Sequence, residues 1–181
     1  MLINLWSDIP YIYTNNRINF LERKKLEEQL PVFLKSNKQD LYVVTWPGNF
    51  TSTRIGCQII NIYLWVNKIK EIYYLNKFEF YKQLWYSNIF LFSGNKNKYL
   101  HLDTEWKTTE KNVQDLDKKT LLLEPLFDDI NTERFGVEYM IPIQEILTKH
   151  TNIQWKEAAS LSPFYYFKPI TSICKKSYKM I

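Results

Sequence analysis

Over the first half of the chain, short apolar runs alternate with amphipathic stretches. Residues 2–6 form a short apolar strand candidate. Residues 9–13 and 18–21 form two more, separated by the turn signal Asn15-Asn16. Residues 22–35 read as an amphipathic helix, with Leu26, Leu30, Phe33 and Leu34 on one stripe and Glu22, Lys24, Lys25 and Glu28 mostly off it. Pro31 falls inside that helix, where a proline bends the axis or removes a hydrogen bond. Residues 40–45 are β-branched and aromatic, which predicts a buried strand, and residues 55–66 are apolar over too long a run for a strand and predict a helix. A strand at 71–75 and a helix at 78–85 follow. Strands alternating with helices predict a partly parallel α/β sheet here.

From residue 88 the pattern changes. Ile89–Phe92 and residues 99–102 read as a hairpin around Ser93-Gly94-Asn95-Lys96. A polar stretch covers 103–119, a strand is predicted at 121–123, a short helix at Ile143–Lys149, and an aromatic, extended tail at 162–167. The change places a boundary near residue 86 and divides the chain into an N-terminal α/β lobe, 1–86, and a smaller C-terminal lobe, 87–181. No internal repeat or low-complexity linker is visible.

Composition narrows the class. A hydrophobic content of 45 % with 17 % aromatics fills a real core. No run has the length of a membrane span, and the first residues lack the basic-then-apolar pattern of a signal peptide. Cys57 and Cys174 fit neither a disulfide framework nor a zinc site, so the expected setting is reducing and cytoplasmic, with no membrane partner. The net charge of +5 is spread along the chain apart from Lys175, Lys176 and Lys179, which favours a solvated surface over a nucleic-acid patch.

The most informative segment is Gly48-Asn49-Phe50-Thr51-Ser52-Thr53-Arg54-Ile55-Gly56, which holds two of only four glycines in 181 residues. It joins the 40–45 strand to the 55–66 helix through a Pro-Gly turn and a hydroxyl- and amide-rich helix start, a place suited to holding an anion or a partner's backbone. With Trp46 and Pro47 it resembles the G-P-G-S-F-T-G-[LV]-R-[IV]-G signature of the TsaB family, also called YeaZ. Pro47, Gly48, Phe50, Thr51, Arg54, Ile55 and Gly56 match in register; Trp46, Asn49, Ser52 and Thr53 depart. Leu30-Pro31 with Leu34 resembles that family's Leu-Pro in the preceding helix, and Pro163-Phe164-Tyr165-Tyr166 resembles its P-x-Y-L ending. The spacing from the first strand to the motif is shorter than usual in the family.

The resemblance implies an α/β, two-lobed actin-like ATPase (ASKHA) fold, shortened, with mixed sheets flanked by helices. It implies a non-catalytic scaffold subunit that dimerises with the catalytic paralogue TsaD, or with itself, to support threonylcarbamoyl transfer to adenosine 37 of tRNA. A TsaE-like ATPase is a possible third member, and tRNA is met indirectly, through the complex. In the helix after the motif, Ile55, Ile59, Ile62 and Val66 make one narrow stripe, expected on the sheet. Gly56, Ile60 and Tyr63 lie round from it, with Thr53, Cys57 and Leu64 beyond. Arg54, Gln58, Asn61 and Trp65 make the contrasting face. The second apolar side is covered either by the 22–35 helix or by a partner. The partner reading takes Leu26, Leu30, Phe33, Thr53, Gly56, Cys57, Ile60, Tyr63 and Leu64 as the interface, with small residues admitting a close helix. In the motif loop, Pro47 and Gly48 set the turn, Phe50 anchors it, Thr51 or Asn49 caps the helix, and Arg54 holds a partner's acidic group or braces the loop.

Catalysis finds no home in the chain. Actin-like ATPases place an Asp at the end of the first strand, and the matching position is Trp6, with Asp8 two residues on. A D-x-G-G phosphate loop and a P-loop are both missing. His101 and His150 lack metal-ligand spacing, Cys57 sits in an apolar helix, and Asp128-Asp129 reads as a solvated turn. The expectation is no cofactor, no metal and no enzymatic activity. Two other classes stay open: a degenerate nucleotide-binding protein of sugar- or acetate-kinase type, and a small RNA-binding module using the 175–179 lysines.

Overall fold

The computed structural model describes residues 1–5, 10–35, 39–45, 50–66, 68–92, 98–112, 122–123, 139–140 and 143–162. Trp6, Asp8, Pro47, Gly48, Asn49, Gly94, Asp128, Asp129, Gly136, Cys174, the tail from Pro163 and the lysines at 175–179 lie outside them. The first sheet is built from β1 (Leu2–Asn4), β2 (Tyr11–Thr14), β3 (Arg17–Phe20), β4 (Gln39–Thr45) and β5 (Ile69–Asn76), with β11 (Lys156–Ala158) on its edge, in the order β11-β5-β4-β1-β2-β3. The strands β1, β2 and β3 are antiparallel neighbours, whereas β1, β4 and β5 pair in parallel. Parallel neighbours require crossovers, which α1 (Leu26–Leu34) and α2 (Phe50–Trp65) supply.

The second sheet contains β6 (Ile89–Phe92), β7 (Lys98–Leu102), β8 (Thr108–Asn112), β9 (Leu122–Leu123) and β10 (Tyr139–Met140), ordered β10-β9-β6-β7-β8. Its pairing senses repeat those of the first five strands: β6, β7 and β8 antiparallel, then β9 and β10 parallel. The helix α3 (Lys77–Gln83) precedes this sheet. The helix α4 (Ile143–Lys149) and a single-turn helix at His150–Asn152 lead from it back to β11. The chain passes from the first sheet to the second through α3, between β5 and β6, and among the described residues β11 is the one strand after β6 that pairs in the first sheet.

Strand alternation divides the core in two. On one face of the first sheet Ile3, Leu5, Ile12, Leu41, Val43 and Ile72 pack with Leu26, Leu30 and Leu34 of α1 and Cys57 and Ile60 of α2. On the other face Leu2, Tyr11, Val44 and Leu75 pack with Phe80 and Tyr81 of α3, Ile146 and Leu147 of α4, and Ile89, Leu91, Leu100 and Leu102 of the second sheet. The two sheets therefore share a core.

Most predicted elements are present, with shifted ends. The first turn of the 22–35 helix is a 3₁₀ turn, Arg23–Lys25, and Pro31 stands within α1 proper. The helix after the motif starts five residues earlier than its apolar run. Within the stretch read as polar connection, Thr108–Asn112 is an edge strand that pairs Leu102 with Thr108 and Lys98 with Asn112.

Candidate partner-binding face

Two helices cover the motif-bearing side of the first sheet. In α1 the spacing of Leu26, Leu30 and Leu34 puts three side chains on one stripe, all at 1 % exposure or less, and turns Val32 outward at 65 %. Phe33 and Pro31 are half-buried at the flanks. In α2 the buried positions are Thr53, Gly56, Cys57 and Ile60, again a helical stripe.

This corrects the expected orientation of α2. The stripe of Ile55, Ile59, Ile62 and Val66 does not lie on the sheet: Ile55 and Ile59 are half-buried, Ile62 and Val66 exposed. The small residues lie there instead, because the sheet comes too close for anything larger. A Cβ added at Gly56 would stand 2.5 Å from Leu5 Cδ1, so the atom that needs the glycine belongs to the end of the first strand, not to a partner helix.

The interface residues expected from sequence divide accordingly. Leu26, Leu30, Thr53, Gly56, Cys57 and Ile60 are core residues of this chain and have no surface to offer. Burial also pushes the Cys57 thiol up to about 11, which leaves it an unreactive apolar filler. Phe33, Tyr63 and Leu64 are half-buried. The helices turn outward Val32, Ile62 (56 %), Trp65 (83 %) and Val66, together with Arg54 and Gln58. In the motif loop, Pro47 and Gly48 lie outside the described residues. Phe50 and Thr51 are the first residues of α2, and Arg54 is exposed with no ion pair among the described residues.

The sequence places Asn61 only on the polar face of α2. Its Nδ2 donates to the Leu161 carbonyl and its Oδ1 accepts from the Leu161 N–H, both at 2.8 Å, pinning the segment after β11 to α2 across 100 residues. A helix-surface Asn beside Ile60 and Ile62 gave no sign of so distant a partner.

Both histidines are held by contacts within the chain. His101 Nε2–H donates to Asn88 Oδ1 at 2.7 Å and its ring stacks on Phe90, and burial lowers its pKa. His150 Nδ1–H donates to the Leu147 carbonyl, with Tyr13 against the ring edge-on. Among the described residues no group of His, Cys, Asp or Glu side chains could hold a metal ion, and no helix is long and apolar enough to cross a membrane.

Comparison with solved structures places the architecture. A crystal structure described as an uncharacterized protein with similarity to peptidase YeaZ from Pseudomonas aeruginosa superposes with a TM-score of 0.50 at 10 % identity, covering 91 % of this chain and 97 % of that one. The fold is of the YeaZ type. YeaZ from Pseudomonas aeruginosa itself has a TM-score of 0.48 at 10 % identity, with the same coverage. No family model and no curated protein matches the sequence. The YeaZ-type likeness agrees with the mixed sheet flanked by helices expected from the motif.

Proposed function

We propose that this chain is a TsaB-like scaffold subunit that uses the outer side of α1 and α2 to dimerise with a TsaD-like catalytic paralogue, or with a second copy of itself. In that role it supports threonylcarbamoyl transfer to adenosine 37 of tRNA, carries no chemistry of its own, and meets tRNA through the complex. The observation that carries the proposal is the apolar set Val32, Ile62, Trp65 and Val66, turned outward from the two helices that flank the motif in a YeaZ-type fold. Exposed large apolar side chains offer anchors for an association surface, and tryptophan is among the residues most often found to dominate one. A stable complex would bury about 800 Å² on each partner.

Co-purification of the tagged chain from its native host tests this. The main partner is expected to be a paralogue carrying a metal-binding H-x-x-x-H motif, or a second copy of the chain. Ile62→Glu and Trp65→Ala should each weaken recovery at least about tenfold, since a desolvated charge or a lost hot spot costs about 2 kcal/mol or more. Their thermal unfolding should match the parent, because both sites are more than half exposed. Undiminished recovery with both variants would refute the proposed face.

A further inference from the structure

Five described non-glycine residues have positive φ: Asn15, Asn16, Asn88, Trp85 and Trp106. Asparagine adopts this region readily; tryptophan does not. The two tryptophans, at φ 62° and 63°, occupy turns of different kinds. Trp85 ends α3: its N–H donates to the Lys82 carbonyl and the Tyr86 N–H to the Tyr81 carbonyl, the double closure in which this position is usually glycine. Trp106 closes the β7–β8 turn, where its N–H reaches the Asp103 carbonyl and the Asp103 N–H returns to the Lys107 carbonyl, again around a position that favours glycine.

Both tryptophans line one open groove of about 520 Å³. Trp85 is 85 % exposed, so packing within the chain does not account for it. Lys82 Nζ stands 5.8 Å from the centre of the Trp106 ring and makes no ion pair among the described residues. Two of the lining residues hold each other: Gln83 Nε2 donates to the Gln154 carbonyl at 3.1 Å, and the Gln154 N–H donates to Gln83 Oε1 at 2.7 Å. Strained residues cluster at ligand sites, and two of them at one groove point to binding there.

We propose that this groove binds single-stranded nucleic acid, with an unpaired base stacked on the Trp85 indole and its phosphate beside the Lys82 ammonium. An open indole face with a cation in the same groove is the arrangement that holds unpaired bases without regard to sequence; Glu79, which also lines the groove, is paired with Lys156 Nζ at 2.5 Å, so the Lys82 charge is left for a phosphate. A protein partner is disfavoured, since among the described residues that line the groove Trp85 is the one large exposed apolar side chain and the others are mostly polar, whereas protein hot spots are ringed by contacts that exclude water. The inference does not depend on the scaffold reading, because it concerns direct binding by this chain alone.

The test is fluorescence anisotropy of end-labelled oligo(A) RNA and oligo(dA) DNA, each roughly 12 nucleotides, with the isolated full chain at about 50 mM salt. At least one probe should bind, and the stronger one identifies the source. Trp85→Gly should weaken that binding about tenfold or more, yet raise the unfolding temperature by about 2–4 °C as the strain is relieved. Trp85→Asn, which also tolerates the turn, should lose binding in the same way, and Lys82→Gln should lower the slope of log affinity against log salt by about one. Failure of the parent chain to bind either probe, or unchanged affinity in both Trp85 variants, would overturn the proposal. A Trp85→Gly protein that melts below the parent would overturn the strain argument behind it.

Discussion

Replacing Gly56 by alanine tests why the motif helix sits where it does. The added methyl would lie 2.5 Å from Leu5 Cδ1, with Leu5 Cγ and Cβ at 3.7 and 3.8 Å. Carbon atoms pack best at about 3.5–4.0 Å, so the overlap falls on one methyl group and amounts to about 1 Å or more. Leu5 is fully buried and cannot swing into solvent. Overpacking of this kind costs about 1–3 kcal/mol, while alanine in place of glycine inside a helix gains about 1 kcal/mol. Gly56→Ala should therefore destabilise by about 0–2 kcal/mol. Leu5→Ala alone should cost about 2–5 kcal/mol through the cavity it leaves. In that background the clashing methyl is gone, and Gly56→Ala should become stabilising by about 1 kcal/mol.

The reading is a double-mutant cycle by urea unfolding, with midpoints compared at constant m value and an expected coupling of about 1–3 kcal/mol. A glycine kept open for a partner helix gives a different pattern: the isolated chain would gain the same helix propensity in both backgrounds. Equal stabilisation by Gly56→Ala with Leu5 present and absent would refute the Leu5 contact as the reason for the glycine.

Three further outcomes follow from the same helix. Burial pushes the Cys57 thiol up to about 11, so in a Cys174→Ser background about a thousandth of it is thiolate at pH 8, and a thiol reagent should label it only as fast as the protein unfolds. The thiol ionises more easily in the unfolded chain, so stability should fall as pH rises from about 9 to about 11, by up to about 1.4 kcal/mol per unit, and Cys57→Ala should remove that part of the slope. Asn61→Ala should lose about 1–2 kcal/mol with its two hydrogen bonds and speed amide exchange at Leu161; unchanged exchange there would show that Asn61 does not hold the segment.

What the sequence made legible follows from how much each element buries. The run at Ile89–Phe92 and the helix Ile143–Lys149 were placed with their observed bounds, because continuous apolar residues or a full helical period leave little choice. The strands Thr108–Asn112 and Lys156–Ala158 are edge strands with largely exposed side chains, held by backbone pairing that has no counterpart in composition. The sequence does not mark the buried face of α2, because the helix is apolar nearly all round and its isoleucine stripe has the pattern of a core. The better cue was size: Thr53, Gly56 and Cys57 mark the closest approach, and the isoleucines fit where there is room. Trp85 and Trp106 were unreadable, since each turn position usually announces itself with a glycine that this chain does not supply.

The shared core decides where function has room. Opening the two sheets would expose Leu2, Val44 and Leu75 on one side and Leu91, Leu100 and Leu102 on the other, at about 1.5–3 kcal/mol for each aliphatic side chain. That opposes hinge motion between the sheets and directs binding to the outer surfaces. Those surfaces are on different sides of the first sheet: α1 and α2 pack on one face, whereas Phe80, Tyr81 and Leu84 seat α3 against the other. A partner on Val32 and Ile62 would leave the groove at Trp85 open, so the two associations should be independent. Ile62→Glu should lose the protein partner while keeping oligonucleotide affinity, and Trp85→Gly should do the reverse. With no shared contacts the double variant should show both losses and no coupling beyond about 0.5 kcal/mol. A single substitution that abolished both would mean that the faces communicate through the core, and the separation argued from the sheet would be wrong.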